Sequence, residues 1–187
     1  MKRIGFIFCL GIVLLSFAPL NDGDELVWSP WQRLSWEDFN QRAGPKQLYK
    51  AFTFSGIKFS IEGLGGKAKA TCTPYFIKSK SWVHAEHMRP ELLVHEQGHF
   101  DITAVYGMKM QTEMKRFEVE IAEFKERNYM DQAQHVFDSI HVAMETRQGI
   151  YDSETNHGIA SENQAQWNRR LSFEIDSLLN LTAFAED

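Results

Sequence analysis

The feature that most constrains this chain is the segment His95-Glu96-Gln97-Gly98-His99. Two histidines four residues apart present their rings to one cation only when the backbone between them is helical. Each α-helical residue advances about 100°, so positions i and i+4 share a face. Glu96 is turned away from that stripe, too far round to be a third ligand but near enough to act as a base on a water held by the ion. One short segment therefore offers two metal ligands and a proton acceptor.

The flanking residues favour a helix at this place. Pro90 suits a first helical position, where its missing N–H has no intrahelical partner, and Glu91 sets negative charge beside the positive end of the helix dipole. Phe100, Ile102, Val105 and Met108 then continue the run at helical spacing. A histidine pair with an intervening glutamate on such a helix is the HExxH pattern of metallopeptidases.

A catalytic zinc usually takes three protein ligands and leaves one position open, so a partner must come from elsewhere. A third histidine six residues after the pair is excluded, because Val105 stands there and Ile102 occupies the position where that arrangement needs glycine. Glutamates on a following helix, Glu113, Glu118, Glu120 and Glu123, are all admissible and none is singled out by its surroundings. The richer segment is Tyr151-Asp152-Ser153-Glu154-Thr155-Asn156-His157-Gly158, expected as a loop after Gly149 stops a helix. His157 is the first choice there, followed by Glu154 and Asp152. Gly158 would let the backbone approach the metal, and Tyr151 is expected to donate a hydrogen bond to the oxyanion formed from an attacked carbonyl. A plain helix-linking loop with Asp152 or Ser153 as N-cap is the alternative. His84 and His87 read as a solvent-facing pair, and His135 and His141 fall on opposite sides of a helix, so they cannot share an ion.

With 187 residues the chain is long enough for one domain and short for two, and a single domain is expected over residues 27–187. Residues 1–18 begin with Lys2 and Arg3 and continue as an uncharged apolar run, the pattern of a signal peptide or N-terminal anchor. That run is shorter than the roughly 20 residues a spanning helix needs. Ser16 and Ala18 suit cleavage and Pro19 does not, so membrane association through a retained N-terminal segment stays open. Residues 19–26 read as a polar linker, and the expected location is outside the cytoplasm: periplasmic, envelope-associated or secreted. Removing the leader, with Cys9, would leave Cys72 as the sole thiol and no internal disulfide. The formal charge of −5 excludes nucleic acid as an expected partner, and Lys67, Lys69, Lys78 and Lys80 read as a solvated face.

The remaining pattern is that of an α+β chain. Trp28, Trp31, Leu34, Trp36 and Phe39 are expected to seal one end of the core, with Ser35 capping a short helix. Alternation over Ile57, Phe59 and Ile61 predicts strand with Gly56 as a bulge, Gly63-Leu64-Gly65-Gly66 a hairpin turn, and Lys67 to Val83 further strand. Helices follow from Glu91 to about Arg127, from Asp131 to Gly149, and from Ser161 to about Leu179. A small antiparallel β region thus precedes a helical part that carries the histidine pair.

Three segments in order, Leu34-Ser35-Trp36-Glu37-Asp38-Phe39, His95-Glu96-Gln97-Gly98-His99-Phe100-Asp101 and Tyr151 to Gly158 with Trp167 beyond, resemble a bacterial family of predicted secreted zinc-dependent proteases, catalogued as domain of unknown function 922. The resemblance implies a zincin-like fold and a metallopeptidase of the bacterial envelope. On this reading Zn2+ is held by His95, His99 and His157, Glu96 is the general base, Tyr151 assists, and the substrate is a peptide or protein. A non-catalytic, zinc-stabilised envelope binding module is the competing expectation.

Overall fold

Alternating residues build the longest element pair. Ile57, Phe59 and Ile61 point to one side of β4 (Ser55–Leu64), while Lys58, Ser60 and Glu62 point to the other. β4 pairs antiparallel with β5 (Lys67–Ile77), and the two-residue connection Gly65-Gly66 has φ of 60° and 90°, the left-handed geometry that a tight hairpin needs and glycine supplies. β1 (Glu25–Val27) adds to the other edge, giving the order β1-β5-β4. Gly56 makes no bulge. It faces Tyr75 in an unbroken ladder, and a Cβ there would lie 2.9 Å from the Tyr75 hydroxyl.

This computed structural model describes residues 23–44 and 49–183. The leader expected over residues 1–18, with its cleavage site, and residues 19–22 of the linker lie outside the described residues. A second small sheet combines β2 (Gln41–Arg42), β3 (Ala51–Phe52) and β6 (Trp82–Val83) in the order β2-β6-β3, with β2 parallel and β3 antiparallel to β6. β5 therefore stops at Ile77, and a 3-10 turn over Lys78–Lys80 separates it from β6.

The helical part follows as α1 (Pro90–Met114), α2 (Ile121–Glu126), α3 (Tyr129–Thr155) and α4 (Ser161–Ala183). The architecture is α+β, a small mainly antiparallel region followed by helices. α1 lies at the centre, against β5 on one side and α3 and α4 on the other. Ile102, Val105, Met110 and Met114 join Ile57, Met144, Trp167 and Leu171 in the main core, while Leu92 and Phe100 join Leu34, Phe39, Phe76 and Val83 in a second. The early aromatic stretch thus seals the core through Leu34 and Phe39, but Trp31 is 89% exposed. Asp38 accepts hydrogen bonds from the Ser35 N–H and hydroxyl, closing the expected short turn at Trp36–Asp38.

One helix boundary departs from expectation in a way that matters for the site. Gly149 does not stop α3, which runs six residues further, to Thr155. An interior glycine costs only about 1 kcal/mol against alanine, less than tertiary packing of the flanking turns supplies. The real stop is Asn156, His157 and Gly158, all at positive φ (49°, 51° and 78°). Tyr151 and Asp152 are consequently helical residues. Among the described residues no helix is long and apolar enough to cross a membrane.

Candidate metal centre

Because α1 is a regular helix here, His95 and His99 share a face, with ring centroids 4.8 Å apart. α3 lies across that face and supplies Asp152. The Asp152 Oδ1 is 3.1 Å from His95 Nε2 and 3.0 Å from His99 Nε2, and the two Nε2 atoms are 3.3 Å from each other. These three side chains form a group that could hold a metal ion, their ligand atoms all within 4.8 Å of one another.

The outer hydrogen bonds decide what the three atoms can do. Gln164 on α4 donates from Nε2 to the Tyr151 hydroxyl (2.7 Å) and to Asn168 Oδ1 (2.8 Å), so its Oε1 faces His95 Nδ1 at 3.1 Å. Gln148 on α3 donates to the His99 carbonyl (3.0 Å), so its Oε1 accepts from His99 Nδ1. Each histidine is thereby made a donor at Nδ1, and its Nε2 lone pair turns toward the other and toward a carboxylate. Three acceptors facing one point attract a cation. Ligands 2.0–2.1 Å from a tetrahedral ion are about 3.3 Å apart, close to the observed separations, so the donor set fits a tetrahedral metal.

The electrostatics agree. Burial disfavours the charged form of His99, but its hydrogen bond to Asp152 and the nearby Glu96 and Asp152 charges outweigh that and raise its pKa. Burial likewise opposes the Asp152 carboxylate, yet the hydrogen bonds to His95 and His99 prevail and hold its pKa well below the usual range. The pair behaves as a proton-binding site where a cation would sit.

Glu96 stands beside this group, 3% exposed, with Oε2 accepting a hydrogen bond of 2.7 Å from the Thr53 hydroxyl. It lines, with all three potential ligands, a cleft of about 600 Å³ between α1, α3 and the segment Lys50 to Ser55. The role expected of Glu96 from its helical position is geometrically open to it.

The other sequence-predicted residues are placed differently. His157, first choice for the third ligand, lies outside the three-residue group, 47% exposed in its side chain, with its Nδ1 3.3 Å from Asp152 Oδ1 and its ring 6.4 Å from that of His95. Asp152, the third choice, takes the central place because α3 continues past Gly149 and carries it onto the histidine face. Glu154 accepts a hydrogen bond from the Trp167 indole instead. Tyr151 does not offer its hydroxyl to the cleft: it is fully buried, it stacks on His95 at 4.7 Å, and its hydroxyl donates to the His95 carbonyl at 3.0 Å. Its place is beneath the ligands, holding His95, and burial pushes its pKa up. Gly158 packs against the side chain of His95, where a Cβ would lie 2.8 Å from His95 Cβ.

Three contributors went unread in the sequence: Gln148, Gln164 and Thr53. For Gln148 a signal exists, because Gln148, Asp152 and Thr155 form a polar stripe at helical spacing, visible once the helix is carried through Gly149. Thr53 and Gln164 give no such signal. His84 and His87 take no part in the metal group, and none of the glutamates from Glu113 to Glu123 reaches the cleft.

No curated protein and no solved structure matches the chain. Residues 78–158, the stretch that carries His95, Glu96, His99, Asp152 and His157, match the model of a bacterial protein family of unknown function, DUF922.

Proposed function

We propose that the protein is a zinc-dependent peptidase of the bacterial envelope or exterior, with the metal on His95, His99 and Asp152 and Glu96 as general base. The observation that carries this reading is the convergence of two Gln-oriented Nε2 atoms and one Asp152 oxygen at 3.0–3.3 Å, with the Glu96 carboxylate lining the same cleft. Two nitrogens and a hard oxygen suit zinc better than calcium or magnesium, which prefer oxygen throughout. When bound, zinc supplies Lewis acidity, acidifying water and polarising a carbonyl. Thr53 fixes Glu96 through Oε2, and the other carboxylate oxygen is the one available to accept a proton from the attacking water and return it to the leaving amine. The cleft is lined on one side by the extended segment Ala51 to Ser55, against which a substrate peptide would lie. Export is proposed from the basic and apolar N-terminal pattern.

The test combines elemental analysis with hydrolysis. About one zinc per chain is expected in the parent, lost in His95→Ala and Asp152→Ala and retained in His157→Ala. Glu96→Gln is expected to keep zinc and lose hydrolysis of a peptide pool. Zinc retained in Asp152→Ala but lost in His157→Ala would return His157 to the third position. A non-catalytic, zinc-stabilised module is the second reading, favoured by the nearness of His157 to Asp152, since a fourth side chain would close the site. Four protein ligands in the zinc absorption spectrum, with no hydrolysis by the parent, would select it.

A further inference from the structure

The metal cleft does not end at its ligands. Toward the start of α1 it opens into a second hollow of about 350 Å³, lined by Lys50, Arg89, Glu91, Leu92, His157 and Ile159 among others. Lys50, Leu92, His157 and Ile159 line both spaces, so the two adjoin. The ring of Tyr49 packs on that of His157 at 5.3 Å, and Gly158 presses its backbone on His95, which ties this wall to the metal group.

The ends of the combined cleft differ in charge. Arg89 lies six residues before His95, about 9 Å along the axis of α1, and Lys50 lines both the hollow and the metal cleft. No ion pair among the described residues engages either cation, and Glu91, the one carboxylate on this rim, is tied to neither. The opposite end carries Glu145, seven residues or about 10 Å before Asp152 on α3. A chain with net charge −5 thus holds two unengaged cations at one end of its cleft and an acid at the other.

We propose that the Lys50–Arg89 hollow is a subsite for a carboxylate of the bound peptide, so that the preferred substrates carry an acidic side chain or a free carboxy terminus on that side of the metal. The proposal rests on the peptidase reading for its substrate class. Arg89 offers a planar fork that matches a carboxylate, Lys50 offers a mobile point charge, and Leu92 and Ile159 give the apolar walls that a side-chain stem or chain end would lie against. Glu145 at the far end disfavours the reversed orientation.

The experiment uses zinc-loaded full-length protein bearing Glu96→Gln, so that bound peptides survive. Two randomised heptapeptide pools, one with free and one with amidated carboxy termini, are equilibrated with it, and retained peptides are counted by mass spectrometry. Peptides with a carboxylate at one preferred position are expected to be enriched about tenfold over their amide counterparts. Enrichment of Asp and Glu in both pools assigns the side chain as the source, and enrichment confined to the free-terminus pool assigns the chain end. Adding Lys50→Ala and Arg89→Ala, with zinc content and melting temperature checked, should abolish the preference, and Lys50→Gln with Arg89→Gln provides a second pair. Equal retention of carboxylate and amide peptides, or a preference that survives both pairs, overturns the proposal. The peptidase reading fails separately. If the parent cleaves none of the retained peptides while the preference stands and depends on Lys50 and Arg89, the subsite holds and the hydrolytic role does not.

Discussion

α1 and α3 each bring ligands to the metal group, yet they are held in opposite ways. α1 buries twelve of its 25 residues and is enclosed by β4, β5, α3 and α4, whereas α3 buries four of its 27, a single stripe. His95 and His99 are therefore set by packing from several directions, and Asp152 by one helix face laid against them. The lesson is that the histidine pair is prepared by the core, while the place of Asp152, the third potential ligand, depends on how closely α3 can approach α1. Glycines show the same contrast. Gly98 and Gly107 in α1 exist to let neighbours in, since a Cβ would lie 2.1 Å from the Tyr151 hydroxyl and 2.4 Å from Pro74 respectively, but nothing lies within 4 Å of a Cβ on Gly149 in α3.

The largest effect is expected from Gly98→Ala. Tyr151 cannot yield, because its ring lies between His95 at 4.7 Å and Trp167 at 5.2 Å with no exposed surface. The added methyl must force α3 away from α1, at a cost of about 2 kcal/mol or more after the gain in helix propensity. Zinc should be lost with it, since Asp152 follows Tyr151 outward. Urea unfolding of the metal-free protein and a zinc titration read the two consequences, and a variant equal to the parent in both would show that α1 and α3 are not tightly docked.

A smaller and tunable effect comes from protons. In metal-free protein the raised pKa of His99 means that its pairing with Asp152 stabilises the fold fully below the ordinary histidine value and is lost as pH rises through the raised one. Zinc requires the neutral imidazole, so its affinity grows over that window by about tenfold per pH unit for one displaced proton. Both signs agree: the rise in melting temperature caused by zinc should increase with pH across the range beginning above the ordinary histidine pKa. A zinc effect independent of pH there would mean that no proton bridges the two helices.

Much of this was legible in the sequence. The histidine pair, Glu96 and the helix beneath them follow from spacing alone, and the hairpin at Gly65-Gly66 follows from two adjacent glycines. The placing of Asp152 beside that pair was not legible, for a physical reason. Residues 151–158 look like a loop if glycine is taken to end a helix, and then His157 seems as free as Asp152 to reach a metal. As a helix through Thr155, the same residues place Asp152 and Gln148 on one face with His157 past the stop. Tyr151 was misread for a related reason, since a fully buried tyrosine in helical register serves the neighbouring histidine rather than the cleft. The supporting contacts of Thr53 and Gln164 arise from long-range packing, with 43 and 69 residues separating them from Glu96 and His95, and no local pattern announces them.

Gly149→Ala is the smallest change and the most direct probe of that misreading. At a helical position with open space around the new Cβ, alanine removes conformational freedom from the unfolded chain and gains helix propensity, together about 0.5–1 kcal/mol of added stability. The identical substitution at Gly98 is expected to act with the opposite sign, so the pair isolates packing from propensity. Zinc content should not change, because nothing, the potential ligands included, lies within 4 Å of the new Cβ. Destabilisation by Gly149→Ala would indicate that α3 breaks at this residue after all. Asp152 would then be a loop residue, and His157 would again compete with it for the metal on equal terms.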